Sequence, residues 1–144
     1  MADFRGGRLL IFRVGDLTCA VEAPAVREIL PVPDATRIPG ASDAVIGLVN
    51  IRGQLITMVD GRAALRREGA KPHESIILLD VGKTTVGLAV DEVLDLFVVP
   101  EDALAPRDDL PGIESEFVRA VGRQGDQSFV LLDTDALFSP IMPL

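Results

Sequence analysis

Short apolar runs rich in Val, Ile and Leu follow one another along the whole chain, punctuated by Gly and Pro. That is the pattern of many short strands joined by tight turns. Residues 9–14 read as a strand, Gly15-Asp16 as a turn, and residues 17–21 as its partner, with Leu17, Cys19 and Val21 alternating onto one face. Pro24 suits the first position of a helical turn. Val26, Ile29 and Leu30 then recur at helical spacing before Pro31 and Pro33, which predicts a helix of about two turns. Residues 45–60 hold two apolar runs around Asn50-Ile51-Arg52-Gly53-Gln54, a strand, a tight reversal and a second strand, with Gly53 free to take a positive φ. Asp60 or Gly61 can cap a short helix over residues 62–66 that ends at Gly69.

The polar stretch 67–74, with Gly69 and Pro72, is the best boundary between two subdomains of a single domain spanning 1–144. Beyond it, residues 75–81 and 84–90 flank Gly82-Lys83 as a second hairpin, and 92–99 form a strand ended by Pro100. Residues 101–116 read as a long acidic loop. Residues 117–122 and 128–133 form a third hairpin around 124–127, and Thr134 can cap a closing turn through Phe138. Eight to ten short strands with little helix predict an all-β chain, a barrel or sandwich, since βαβ units need crossovers of ~10 residues or more.

Charge narrows the function. Of 144 residues, 14 are Lys or Arg and 22 Asp or Glu, a net charge of −8. Nucleic-acid binding draws most of its affinity from basic side chains, and a chain without Trp or Tyr also lacks the usual stacking platforms. A nucleic-acid-binding barrel is therefore disfavoured. Cutting at residue 72 gives +2 before and −10 after, an asymmetry that suggests two electrostatically distinct faces. The apolar fraction of 48% suffices for a core, yet no run approaches the ~20 residues of a membrane span. The apolar stretch after the basic start is too short for a signal peptide, and the single cysteine allows no internal disulfide. The chain reads as cytoplasmic.

Catalytic chemistry is sparse. His73 is the only histidine and Cys19 the only cysteine, against the roughly four N or S ligands of a structural zinc site; no metal is expected. No Gly-rich phosphate loop occurs. Asp80, at the end of Ile76-Ile77-Leu78-Leu79, resembles the phosphoacceptor of a receiver domain, but the long helices of that fold are missing. The sharpest segment is Gly47-Leu48-Val49-Asn50-Ile51-Arg52-Gly53, followed by Val59-Asp60-Gly61-Arg62. Here Arg52 presents a planar fork of donors at an exposed turn, suited to a partner carboxylate or carbonyl.

At this segment the sequence resembles the CheW family, the adaptor proteins of bacterial chemosensory arrays. Gly47, Asn50, Arg52, Gly53, Val59, Asp60 and Arg62 meet the family pattern, and so do residues 12–21, 26–30, 86–93, 117–122 and 130–133, in the family's order. The likeness covers roughly residues 8–139. It implies two intertwined, five-stranded, SH3-like barrels with a few short helices and a shared N-terminal strand, without active site, cofactor or metal. It also implies an adaptor that docks the regulatory domain of a CheA-type histidine kinase and the cytoplasmic tip of a methyl-accepting chemoreceptor. Such a protein is recruited to membrane-associated arrays without inserting into the membrane.

By the same resemblance Val26, Glu28 and Ile29 fall where receptor is contacted, and Val90 in the groove between barrels. Gly47, Asn50, Arg52 and Gly53 form the turn that couples kinase and receptor, and Phe117 and Val118 lie on the second barrel's kinase-facing edge. Two positions depart from the pattern: Thr57 replaces a common Pro, and Gly61 a Leu. The second, if buried, is expected to cost about 1–2 kcal/mol of lost burial.

Overall fold

The computed structural model describes residues 7–69, 71–106 and 115–142. Among them, β1 (Gly7–Val14) and β2 (Leu17–Glu22) form the opening hairpin. A 3-10 turn, Ala23–Ala25, leads into β3 (Val26–Pro31), and then β4 (Val45–Ile51), β5 (Gln54–Asp60) and helix α1 (Gly61–Leu65) follow. Next come β6 (Ser75–Val81), β7 (Thr84–Val90), β8 (Glu92–Val99), β9 (Leu104–Pro106), β10 (Val118–Gln124), β11 (Gln127–Leu132) and helix α2 (Thr134–Phe138). They build a six-stranded sheet ordered β8-β1-β2-β11-β10-β9 and a five-stranded sheet ordered β3-β6-β7-β5-β4. Pairing is antiparallel except between β2 and β11 and between β5 and β7. The two curled sheets match the fold of paired SH3-like barrels.

The five-stranded sheet closes on itself. Beyond β3 the chain returns to the opposite edge, where Thr36 and Leu48 exchange both backbone hydrogen bonds at 2.8 Å. Side-chain alternation then sorts the apolar residues into three layers. Leu9, Ile11, Ala20, Phe129 and Leu131 fill the six-stranded sheet's own interior. Val49, Ile56, Met58, Ile76, Leu78 and Ala89 fill that of the five-stranded sheet. The alternate positions, including Leu10, Phe12, Val14, Cys19, Val21, Ile77, Leu79, Val86, Leu88, Val90, Val130 and Leu132, meet in one core between the sheets. Central strands are thus covered on both faces, which is why they read as near-continuous apolar runs.

Several expectations are corrected. The predicted helix after Pro24 is a single 3-10 turn followed by the strand β3, because β-branched Val26 and Ile29 favour extended backbone. The stretch 67–74 is no boundary: β6 and β7, which follow it, hydrogen-bond in the same sheet as β3 to β5. The chain changes sheets instead between Glu22 and Val26 and again at Asp91, the single residue between β7 and β8. Helix α1 ends not at Gly69 but at Arg66, in the left-handed region with φ 55°. Asp133, rather than Thr134, caps α2 by accepting from the Ala136 N–H at 3.1 Å. The acidic stretch 101–116 includes β9, and its residues 107–114 lie outside the described residues.

Gly61 also reverses its expected role. It is buried, and a β-carbon there would stand 2.6 Å from the Ala89 carbonyl oxygen and 3.3 Å from Val14. Glycine lets α1 start directly against β7, so no space awaits a leucine.

One buried ion pair secures the crossing at Asp91. Arg62 and Asp91 retain only 10% and 11% of their side-chain exposure, and Arg62 Nη2 donates to Asp91 Oδ2 at 2.7 Å while Nε donates to Oδ1 at 3.0 Å. The Gly15 N–H of the β1–β2 turn donates to Asp91 Oδ1 at 2.8 Å, and the Asp91 N–H donates to the Arg13 carbonyl at 3.0 Å. Burial pushes the Asp91 carboxyl up, but the Arg62 guanidinium and the Gly15 amide outweigh it and hold it below the usual carboxylate range.

Two predictions follow from this packing. Gly61→Ala is expected to lower the melting temperature, in spite of alanine's higher helix propensity, by about 1–3 kcal/mol of overpacking; a neutral or raised transition would show that β7 can yield. Arg62→Met leaves the Asp91 charge buried and unpaired, at a cost of about 3–5 kcal/mol. In the native chain Asp91 is depressed, so its contribution is complete above its unfolded value of 3.8 and is lost as pH falls through its lower folded value. In Arg62→Met burial acts unopposed by Arg62, so stability is expected to rise as pH drops from 7 to 4.5. Urea unfolding at the two pH values reads the sign of that slope.

Candidate functional site

Register places the exposed apolar residues. In β3, Val26 pairs with Leu79 and Ile29 with Ile77, whereas Glu28 pairs with Leu78 and Leu30 with Ile76. Directly opposed residues share a face. Val26 and Ile29 therefore lie on the side of the core between the sheets, and Glu28 and Leu30 on the side of the five-stranded sheet's own interior. The register slips at Arg27, and this bulge lets residues three apart share a face in a strand. The predicted grouping of Val26 with Ile29 is thus correct for a different reason, while Leu30 faces away.

The edge strand β8 repeats the device. Its register slips at Leu94, so that Val93 opposes Phe12 and Leu96 opposes Leu10, both members of the core between the sheets. Val26 and Val93 are half-buried against that core. Ile29 and Leu96 extend their respective strand faces into solvent, at 40% and 46% exposure. The outermost strands β3 of one sheet and β8 of the other thus each border the core between the sheets with a margin of exposed apolar residues. Val98, opposite Arg8, continues the β8 side and is 73% exposed.

Arg52 and Glu28, assigned separately in the sequence, meet. The guanidinium engages both carboxylate oxygens of Glu28, with Nη1 donating to Oε2 at 2.6 Å and Nη2 donating to Oε1. Hydrogen bonding and charge from Arg52 hold the Glu28 carboxyl below its usual range. The fork expected to face a partner is satisfied within the chain. Its presentation is costly in backbone terms: Arg52 has φ 52° and Gly53 φ 84°, a left-handed pair that a two-residue hairpin requires and that only the second residue adopts freely. Asn50 stabilises the reversal, its Oδ1 accepting from the Gly53 N–H at 2.8 Å.

Other assigned residues serve the interior. Val90 is fully buried in the core between the sheets, so it lines no open groove; Val93, three residues on, borders the margin instead. Gly47 is buried beneath the Thr36 carbonyl, which a β-carbon would strike, and so permits the closing bridge. Val118 is buried, and Phe117 packs half-buried on the same core, its carbonyl accepting from the Asp133 N–H at 2.8 Å. Among the described residues, Val32, Leu55, Leu94, Leu96 and Val98 are exposed apolar side chains that the sequence pattern did not single out. Leu55, opposite Asn50, is 66% exposed beside the turn, and Leu96 projects from β8. The signal for β8 was available: apolar residues at both parities, Val93, Leu94, Leu96, Phe97, Val98 and Val99, exceed what one buried face needs.

Among the described residues there is no group of three His, Cys, Asp or Glu able to hold a metal. Asp80 lies on β6 with Arg27 at 2.6 Å and Thr85 at 3.1 Å as partners, in a mainly antiparallel setting unlike a receiver. Cys19 is buried, and burial pushes its thiol far above its usual value, which leaves it unreactive. His73 Nε2 lies 2.9 Å from Asp60 Oδ1. No described helix is long and apolar enough to cross a membrane.

Comparison with known proteins agrees with this architecture. The CheW-like domain family model matches residues 8–141. The chain is 37% identical over 137 residues to "Chemotaxis protein CheW" of Rhizobium meliloti, covering 92% of this chain and 88% of that one. It is 27% identical to "Chemotaxis protein CheW" of Klebsiella aerogenes, over 93% of this chain and 82% of the other. The crystal structure of the scaffolding protein TtCheW from Thermoanaerobacter tengcongensis superposes with a TM-score of 0.86 at 20% identity, over 92% of each chain. The chain belongs to the CheW-like family of chemotaxis adaptor proteins.

Proposed function

We propose that this protein acts without catalysis as a cytoplasmic coupling adaptor, joining the helical tip of a chemoreceptor to the regulatory domain of a CheA-type histidine kinase at membrane-associated arrays. The apolar margins of β3 and β8 carry the receptor half of this proposal. An amphipathic helix docks through anchors spaced along one face in an apolar groove. Val26 and Ile29 on one side, with Val93 and Leu96 on the other, supply such anchors against a rigid core. Glu28 and Arg52, flanked by exposed Leu55, offer a polar feature on the five-stranded sheet, suited to orienting a partner more than to holding it. A contact of this kind is modest in area and reversible, as an assembling array requires.

Exposure separates binding from folding in the test. Leu96→Glu places a charge on the margin of β8 and is expected to reduce co-sedimentation with receptor-containing membranes at least tenfold while the thermal transition stays nearly in place. Arg52→Glu sets two carboxylates together at an exposed site and is expected to weaken kinase activation, again with little change in melting temperature. Undiminished receptor binding by Leu96→Glu would remove the margin from the interface. A large fall in melting temperature in Arg52→Glu would make that residue structural.

A further inference from the structure

The residues that follow α1 leave the five-stranded sheet and lie against the β1–β2 turn of the other sheet. None of the described residues between Arg66 and His73 joins an apolar core. Their attachment is polar, and most of it ends on the short segment Asp60-Gly61-Arg62. The Arg62 guanidinium, besides pairing with Asp91, donates to the Gly69 carbonyl at 3.2 Å and to the Lys71 carbonyl at 2.6 Å. Asp60 caps α1 and meets His73 through the same Oδ1. On the far side Arg67 Nε donates to Asp16 Oδ1 at 2.8 Å. Two glycines mark the close approaches: a β-carbon on Gly15 would lie 2.8 Å from the Glu68 carbonyl oxygen, and one on Gly69 would lie 2.5 Å from Arg62 Nε.

We propose that residues 66–69 and 71–73 form a strap that opens and closes as one unit across the junction of the two sheets, with the Arg62 guanidinium as its catch. Segments held by polar contacts at the surface open at lower free energy than strands buried on both faces, and the contacts described for this segment, hydrogen bonds and the Arg67–Asp16 ion pair, lie at the point where both sheets meet. Its ends are tied to different sheets, so whatever keeps it closed also keeps the β1–β2 turn against α1. Closed, it supplies Glu68, Gly69 and Lys71 as one wall of a polar recess of about 480 Å³, whose other wall carries Arg13, Asp91 and Glu92. Open, it exposes that second wall to solvent. The strap is independent of which partners the adaptor binds.

Trypsin reads the strap directly, because Arg66 and Arg67 lie in it; Lys71 precedes Pro72 and is not cut. The double variant Arg62→Met/Asp91→Leu removes both charges and leaves neither buried alone. Cleavage after Arg66 or Arg67 is expected to accelerate at least tenfold, while the amides of β1, β6 and β7 keep their protection from hydrogen exchange. Asp16→Asn, which weakens only the outer tie, is expected to accelerate cleavage less than the double variant does. An unchanged cleavage rate, or loss of protection in strap and sheets together, overturns the proposal; a larger effect from Asp16→Asn overturns the assignment of the catch. Should the double variant not fold, the native chain decides. The Arg67 amide, bonded to the Arg62 carbonyl at 2.8 Å, is expected to exchange at least tenfold faster than the amides of β6 in low denaturant, and a common rate for both overturns the strap.

Discussion

Both sheets must bury two faces, and they can do so only by sharing one of them. Each curled sheet fills its own interior with one set of alternate side chains, and the other set meets across the core that holds Phe12, Leu79, Leu88 and Leu132. Relative placement of the sheets is therefore set by packing density rather than by a linker, and interiors packed to that density resist sliding. The exposed apolar residues of β3 and β8 are a consequence: they lie where this shared layer runs out of sheet to cover it. The buried pair of Arg62 and Asp91 adds what packing cannot, because the crossing between β7 and β8 is one residue long and brings backbone polar groups of both sheets together. A charge there is tolerated because every partner is supplied; among the described residues no buried side-chain nitrogen or oxygen lacks one.

Strands and hairpins were legible because their signals are local. Period-two alternation in residues 17–21 and the Gly82-Lys83 turn depend on a few adjacent residues, and the structure follows them closely. Residues 24–30 misled because a bulged strand and a helix both bring residues three apart onto one face. Spacing alone cannot separate the two; the β-branched pair Val26 and Ile29 was the better guide. Gly61 misled in the opposite sense, since a missing side chain reads as a loss until the Ala89 carbonyl is seen to occupy its place.

The contacts that make the site are of the other kind. Glu28 and Arg52 are 24 residues apart and meet because the five-stranded sheet closes on itself, bringing β3 toward the turn after β4. No pattern in either segment encodes the other. Likewise the polar stretch 67–74 has the composition of a linker, yet it is pinned by Arg62 and Asp16. Polarity shows that a segment avoids the core, not that it separates domains. Residues assigned by resemblance divided along the same line: those at exposed turns and edges stayed candidates for contact, while Val90, Gly47 and Val118 proved to be needed by the fold itself.

Sheet membership also changes the meaning of the charge. Residues 23–91, from which the five-stranded sheet is made, hold eight basic and eight acidic residues, whereas 1–22 and 92–144 together hold six basic and fourteen acidic. The whole net charge of −8 belongs to the segments of the six-stranded sheet, a sharper partition than any single cut along the chain gives. Across a neutral sheet, attraction depends on local features such as the Glu28–Arg52 pair. Across an acidic one, long-range attraction reaches a basic surface before contact, over about 8–10 Å at physiological salt. On the proposed function, in which two different partners are held at once, this division is an advantage, because two chemically unlike surfaces do not compete for the same partner. The shared core fixes the separation of the two sheets' outer surfaces, because a densely packed layer between them resists sliding.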